Sequence, residues 1–146
     1  TSPAVSDGGP IPRAHTCDGA DLSPPLSWSG VPASAKQLAL IVDDPDAPGR
    51  VWVHWVLYGL APSVTGLPAG GVKDGVQGTN DFRRLGYGGP CPPPGPAHRY
   101  MFTLYALDTE LKLPPGATKD VLLGAMKGHM LEEAKTIGKY GRGARG

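Results

Sequence analysis

Apolar residues in this chain fall into short runs separated by loops rich in glycine and proline. Residues 38–43 form a short, bounded run rich in branched side chains, which predicts a β-strand. Residues 51–60 are apolar at both alternating sets of positions, and a strand of this kind is covered on both faces and therefore central. The alternation predicts one face with Val51, Val53, Trp55 and Leu57, and the other with Trp52, His54, Val56 and Tyr58. Residues 98–107 alternate in the same way and predict a second central strand.

Two further segments carry weaker patterns. Residues 22–32 resemble an edge strand, because proline is tolerated where no ladder donor is needed. Residues 118–137 predict the one convincing helix, with Thr118 near its start and an apolar stripe at helical spacing made of Val121, Leu122, Ala125, Met126, Met130, Ala134 and Ile137. Gly124 and Gly128 weaken this helix by about 1 kcal/mol each relative to alanine, so it requires tertiary packing.

The balance of elements predicts the fold class. Strands outnumber helices, so we expect a mainly β protein, a Greek-key β-sandwich with a C-terminal α-helix and long functional loops. Residues 61–98 hold few strand-like runs, and a loop of that length tends to be functional. The 146 residues fit a single domain, 1–146, with residues 1–10 as a flexible or loosely docked lead-in.

Composition and charge exclude several function classes. The net charge is +1 and no basic run exceeds two residues, so the sequence gives little support to a nucleic-acid or membrane-surface role. No stretch approaches the length of a membrane span. We expect a cytoplasmic location or, if a signal peptide has been removed, a periplasmic or secreted one.

The two cysteines, Cys17 and Cys91, lie far apart in the sequence. Two thiols are too few to define a disulfide framework and have no metal-ligand spacing. The favoured interpretation is two partly buried free thiols. The alternative is a single bridge that joins an N-terminal loop to the proline-rich loop.

The most informative local feature is the turn Asp44-Pro45-Asp46-Ala47-Pro48 between two strands. Proline fixes its own φ and restricts the preceding residue to extended conformations. Alternation along an extended chain predicts that Asp44 and Asp46 point to the same side, next to His54, as one wall of a pocket. The structural alternative is that Asp44 caps a turn.

Three strand residues supply complementary chemistry. His54, His98 and Tyr100 combine two imidazoles with a phenolic donor, and the last two share one face of their strand. Buried groups of this kind need partners, which are one another or a ligand. The imidazole and phenol donors suit an oxyanion, whereas the two carboxylates would repel a phosphate dianion. We therefore expect the ligand to be a monoanion or a zwitterion.

Each of these residues also has a structural interpretation. His54 and Tyr100 are both compatible with a core position in which the polar group of the side chain has a hydrogen-bond partner. Trp52 is compatible with either the wall of a pocket or the core. The segment Tyr87–Pro96 fits either a stiff ligand rim or a stiff linker. The sequence contains neither a nucleophile elbow nor a phosphate loop, and the histidine and aspartate spacing implies no metal geometry. We predict no metal, no other cofactor and no catalytic residue.

The ordered motifs resemble the phosphatidylethanolamine-binding protein family over residues 10–142, in particular its bacterial Raf-kinase-inhibitor-like branch. They are Cys17-Asp18-Gly19, Ser23-Pro24-Pro25-Leu26-Ser27-Trp28, Asp44-Pro45-Asp46-Ala47-Pro48, Trp52-Val53-His54, Gly89-Pro90-Cys91-Pro92-Pro93, His98-Arg99-Tyr100 and Gly128-His129. Each motif is weak alone, whereas the ordered combination is highly specific.

The resemblance implies a β-sandwich with a small anion pocket. The family's pocket acids fall on Asp44 and Asp46, and its pocket histidine falls on His54. The histidine and tyrosine of its His-Arg-Tyr motif fall on His98 and Tyr100. Its Gly-Pro rim falls on Gly89 and Pro90. Some eukaryotic members carry a histidine where this chain has Val53, and a longer C-terminal segment, which puts kinase regulation in doubt here.

The expected function is non-catalytic binding of a small anion or phosphate monoester resembling a phospholipid headgroup. The expected ligand-binding residues are Asp44, Trp52, Asp46, His54, Gly89, Pro90, His98 and Tyr100. One alternative is a kinase or protease inhibitor acting through its surface. Another is an acid–base enzyme that uses the aspartate–histidine pocket on a small molecule. Family analogy also allows a homodimer.

Overall fold

Long antiparallel strands dominate the computed structural model, which describes residues 7–70 and 75–141. In chain order the elements are β1 (Gly9–Pro10), β2 (Leu26–Ser27), β3 (Gln37–Asp44), β4 (Trp52–Leu60), β5 (Gly66–Leu67), β6 (Val76–Gln77), β7 (His98–Leu107), α1 (Lys119–Met126) and β8 (Met130–Tyr140), with a 3₁₀ turn at Arg13–His15. The predicted strands at residues 38–43, 51–60 and 98–107 are confirmed as β3, β4 and β7.

Two sheets are present in the described residues. The larger has the order β1-β8-β7-β3-β4-β6 and is mixed, because β1 runs parallel to β8 while the other pairs are antiparallel. The smaller joins β2 to β5. The predicted mainly β fold with a helix towards the C-terminal end is confirmed. None of the helices in residues 7–70 and 75–141 is long and apolar enough to cross a bilayer.

Apolar side chains pack on both faces of the large sheet. The front core lies between this sheet and the small sheet and contains Ile11, Leu26, Leu38, Leu40, Val42, Trp55, Leu57, Leu60, Leu67, Tyr100, Phe102 and Ala106. The back core lies between the sheet and α1 and contains Ala39, Ile41, Val53, Val56, Tyr58, Leu107, Leu122 and Met126. Burial of both faces explains why β3 and β4 are apolar at both sets of alternating positions.

His54 is the extra residue of a β-bulge in β4. Val42 pairs with Trp55, and the next residue, Asp43, pairs with Val53, so His54 has no pairing partner of its own on β3. A bulge of this kind lets two residues oppose one and shifts the alternation of side chains.

The bulge corrects the faces predicted from simple alternation. Val53 packs in the back core and Trp55 in the front core, so their predicted common face is wrong. His54 and Val56 are separated in the same way, because the His54 ring lies edge-on against a front-core tyrosine. Trp52 and His54 do remain together, since both rings contact the same phenylalanine.

The predicted helix at 118–137 is correct for its first half and wrong for its second. Thr118 caps α1 by accepting a hydrogen bond from the backbone N–H of Val121, and the helix ends at Met126. Gly128 then adopts a φ of +82°, a conformation that costs glycine little and breaks helical geometry. From Met130 the chain pairs with the full length of β7. This pairing gives hydrogen-bond partners to the backbone N–H and C=O groups of β7. A continued helix would leave those groups unpaired at the edge of the sheet.

The loops are shorter and more ordered than their composition suggested. Within the expected edge strand at 22–32, pairing is confined to Leu26–Ser27. The segment 61–98 contains β5, β6 and a bridge between Thr79 and Leu85. Of the predicted lead-in, residues 1–6 lie outside the described residues, whereas β1 is hydrogen-bonded to β8.

Cys17 and Cys91 form a disulfide, so the favoured prediction of free thiols is wrong and the alternative is confirmed. The two residues are 74 positions apart in sequence, and their Cα atoms lie 5.4 Å apart. The backbone N–H of Cys17 also donates to the Pro90 carbonyl at 3.1 Å. The packing of the N-terminal loop against the proline-rich loop, which no local pattern reveals, makes the bridge possible.

Truncation of Leu122 to alanine tests the packing of α1 on the sheet. Leu122 is fully buried in the back core, so Leu122→Ala leaves a cavity and we expect a loss of about 2–5 kcal/mol in the free energy of unfolding. Val121, on the same helix, is 51% exposed, and Val121→Ala should change stability by no more than about 0.5 kcal/mol. Urea titrations measure both, and equal effects of the two substitutions would contradict this packing.

Candidate functional site

A pocket of about 340 Å³ opens on the front face of the large sheet, where β3 ends and β4 and β7 begin. Its volume lies in the range of small-molecule sites. The lining residues are Asp44, Ala47, Pro48, Trp52, His54, Phe82, Cys91, Pro92, Pro93, His98 and Tyr100. Five of the predicted site residues, Asp44, Trp52, His54, His98 and Tyr100, therefore meet in one cavity.

Asp44 is the buried acid of the pocket, with 3% of its surface exposed. Its Oδ2 accepts a hydrogen bond from His98 Nδ1 at 2.6 Å, and its Oδ1 accepts one from the backbone N–H of Asp46 at 2.8 Å. The first bond orients the His98 ring. The remaining ring nitrogen, Nε2, donates when the imidazole is protonated and accepts when it is neutral.

His54 is held by the backbone of the loop that precedes β7. Its Nδ1 donates to the Gly88 carbonyl at 2.7 Å, and the Gly88 N–H donates back to the His54 carbonyl at 2.9 Å. Burial lowers the pKa of His54 below its ordinary value, against the opposing effect of the Gly88 hydrogen bond. At neutral pH the ring is therefore uncharged, and Nε2 is an acceptor.

Two buried donors line the pocket without a hydrogen-bond partner among the described residues. They are the hydroxyl of Tyr100, a residue 1% exposed, and the indole Nε1 of Trp52. Burial, followed by the nearby Asp44 carboxylate, raises the pKa of Tyr100, so its hydroxyl stays protonated. Unpaired buried donors are rare because each costs about 1–3 kcal/mol, so these two give the pocket an unused capacity to donate hydrogen bonds.

Phe82 is a wall of the pocket that the sequence analysis missed. Its ring stands edge-on to Trp52 and His54, with centroids at 5.5 and 5.4 Å. Asn80 positions it, since its buried Oδ1 accepts from the backbone N–H groups of Phe82 and Arg84. An Asn-led turn with an aromatic residue inside a polar loop is the local signal that would have identified Phe82.

Asp46 and Asp44 diverge instead of pointing to the same side. The bond from the Asp46 N–H to Asp44 starts a turn, which ends the strand alternation. Asp46 lies outside the pocket lining, where both of its oxygens accept from the Arg99 guanidinium at 2.9 and 3.0 Å. That guanidinium, together with the Arg99 backbone N–H, lowers the pKa of Asp46 to about 2.

Gly89 and Pro90 are buried behind the rim and do not line the pocket. A Cβ on Gly89 would lie 2.2 Å from Asp21 Oδ1, which shows how tightly this stretch packs against the N-terminal loop. The rim itself begins one residue later and consists of Cys91, Pro92 and Pro93.

A larger cavity of about 480 Å³ lies farther along the front face, beside Phe102 and Leu104 of β7. It contains no histidine and neither of the two unpaired donors, so we regard the smaller pocket as the functional candidate. No cluster of three or more metal-ligating side chains occurs in the part of the chain that the structure describes.

The fold and pocket together define a class of protein: a mainly β domain with a small cavity, lined by apolar side chains and a few polar groups, at one end of its central strands. The family model of phosphatidylethanolamine-binding proteins matches residues 1–141. A UPF0098 protein of Methanothermobacter thermautotrophicus is 60% identical over 96% of both chains, and one of Chlamydia muridarum is 48% identical over 96% of both.

Solved structures agree with these sequence matches. A phosphatidylethanolamine-binding protein homolog of Chlamydia trachomatis superposes with a TM-score of 0.92 at 47% identity, covering 96% of this chain and 94% of that one. YbcL of Escherichia coli, described as a new member of the mammalian PEBP family, superposes at 0.89 with 32% identity, covering 97% and 96%. The chain belongs to the phosphatidylethanolamine-binding protein family.

Asp46→Asn tests the ion pair beside the pocket. Because the pKa of Asp46 is lowered to about 2 in the folded protein from about 4 when unfolded, the pair stabilises the fold above about pH 4. This contribution disappears as the pH falls through about 2.

We expect Asp46→Asn to cost no more than about 1 kcal/mol near neutral pH, because the pair is exposed. The difference in the free energy of unfolding between parent and variant should become smaller towards pH 2 and in high salt. Urea midpoints recorded from pH 7 to pH 2 measure this difference, and a gap that stays constant with pH would argue against the ion pair.

Proposed function

We propose that this protein binds a small anion, in particular a phosphate monoester of the headgroup type, in the pocket between Asp44, Trp52, His54, His98 and Tyr100. The observation that carries the proposal is the pair of buried donors, Tyr100 Oη and Trp52 Nε1, which have no acceptor among the described residues. An oxyanion that entered the cavity would accept from both.

The remaining groups favour a ligand that is not fully ionised. The neutral His54 Nε2 is an acceptor and suits the P–OH of a monoanion. The Asp44 carboxylate repels a dianion but attracts a ligand ammonium group. The aromatic rings of Trp52 and Phe82 also favour a cation, because the face of an aromatic ring carries partial negative charge. A zwitterion such as phosphoethanolamine meets both requirements.

Family membership supports the same ligand chemistry. The family takes its name from phosphatidylethanolamine, whose headgroup combines a phosphate ester with an ammonium group. A 340 Å³ cavity with a few polar groups in a mostly apolar lining suits a headgroup of this size.

Calorimetric titration with phosphoethanolamine and inorganic phosphate tests the proposal. Tyr100→Phe removes one of the two unpaired donors and keeps the ring. We expect it to lower the affinity roughly 10- to 100-fold, the effect of losing one hydrogen bond to a charged ligand.

Tyr105→Phe is the matched control, because Tyr105 lies on the same strand but packs against the back core. It should bind like the parent. Unchanged affinity in a folded Tyr100→Phe protein, or no binding by the parent at millimolar ligand, would refute the assignment.

The Asp44–His98 hydrogen bond is also the arrangement that orients a general base. A turnover assay on phosphate esters therefore accompanies the titration. If phosphate is released and the release is lost when Asp44 is substituted, the protein is an acid–base enzyme and not a non-catalytic binding protein.

The Cys17–Cys91 bridge supports a periplasmic or secreted location over the cytoplasm. Disulfides persist in oxidising compartments and are rare in the reducing cytosol of mesophiles. Fractionation of the native host, followed by detection of the protein, tests this location.

A further inference from the structure

The Cys17–Cys91 disulfide reaches the pocket itself. Cys91 is one of the lining residues, and both cysteine residues are exposed to solvent. A bridge that is open to solvent and adjoins a ligand cavity differs from a buried structural staple, because thiols in solution reach it readily.

The Cys17 end of the bridge is firmly held. The neighbouring Thr16 is fully buried, and its hydroxyl donates to the Arg13 carbonyl at 2.9 Å. On the other side, the carboxylate of Asp18 accepts from the Tyr140 hydroxyl at 2.5 Å. Cys17 therefore provides a fixed anchor for the segment that it binds.

The chain that leads into Cys91 is attached independently of the disulfide. Gly88 exchanges hydrogen bonds with His54, the Gly89 N–H donates to Asp21 at 2.9 Å, and the Pro90 carbonyl accepts from the N–H of Cys17. None of these contacts involves the S–S bond, so we expect them and the sheet to persist when the bond is broken.

The rim beyond Cys91 has few backbone donors. Four of residues 92–97 are prolines, which have no backbone N–H to donate. Pro92 and Pro93 nevertheless form one side of the pocket. The disulfide at Cys91 fixes one end of the segment and the start of β7 at His98 fixes the other. Between them Pro92 is buried and Pro94 takes part in a β-bridge.

We propose that the Cys17–Cys91 disulfide is a thiol-exchange site that controls the ligand pocket, an inference that rests on the proposed function. The reactant is a small thiol. Its thiolate attacks one sulfur of the bridge, forms a mixed disulfide and releases the other cysteine as a thiolate. A second thiol then attacks the mixed disulfide, so two thiols are oxidised to one external disulfide while the two cysteines are reduced.

Reduction frees the Cys91–Pro93 rim without unfolding the sheet. A ligand must then order the rim when it binds, and this ordering lowers the affinity. The oxidised protein is the high-affinity state, and the reduced protein is the low-affinity state.

Calorimetry with phosphoethanolamine on the oxidised protein, and on the protein reduced with dithiothreitol, tests the proposal. We expect about tenfold weaker binding after reduction, restored by reoxidation, with an unchanged far-ultraviolet circular dichroism spectrum. The double variant Cys17→Ser/Cys91→Ser should bind as weakly as the reduced parent and should not respond to dithiothreitol.

Each other outcome has a distinct meaning. Equal affinities in the two redox states overturn the redox control and leave the proposed function intact. A disulfide that resists millimolar dithiothreitol in the folded protein, or global unfolding on reduction, also overturns it. Absence of binding to the oxidised protein refutes the proposed function itself.

Discussion

The buried carboxylate of Asp44 is the constraint on which the pocket depends. A charge at 3% exposure is costly unless it is paired, and here each oxygen has its own partner. One partner is the His98 imidazole at the start of β7, and the other is the N–H of Asp46 in the loop after β3. The same group therefore orients a histidine that lines the pocket and shapes the turn that carries Asp46 outwards to Arg99.

The pocket is a continuation of the front core. Along β3, Leu38, Leu40 and Val42 are front-core residues, and the same row ends in Asp44. Along β7, Phe102 is followed in the same way by Tyr100 at the pocket. Polar groups at the end of apolar rows sit in a low-dielectric environment, where hydrogen bonds to a ligand are stronger and unpaired donors more costly. This position explains why the polar groups of the pocket gather at one end of the three central strands.

Much of the site was predictable from local sequence, because strands β3, β4 and β7 have strong patterns and the motif residues lie at their ends. The positions of Asp44, Trp52, His54, His98 and Tyr100 in one cavity followed from those strands and from the family resemblance. Phe82 was missed because it lies in a polar loop without periodicity. The second half of the predicted helix was wrong because the chain from Met130 onwards forms backbone hydrogen bonds with β7. These bonds between distant segments outweigh the local preference for a helix.

The sequence by itself determined the central strands, the start of α1 and the chemical types gathered at the site, since alternation, capping and proline restriction act between near neighbours. Tertiary structure alone decided the bulge at His54, the outward turn of Asp46, the pairing of β8 with β7 and the bridge from Cys17 to Cys91. Each of these depends on contact between segments distant in the chain. Their energies are set by burial and hydrogen-bond pairing across the fold, which no local pattern records.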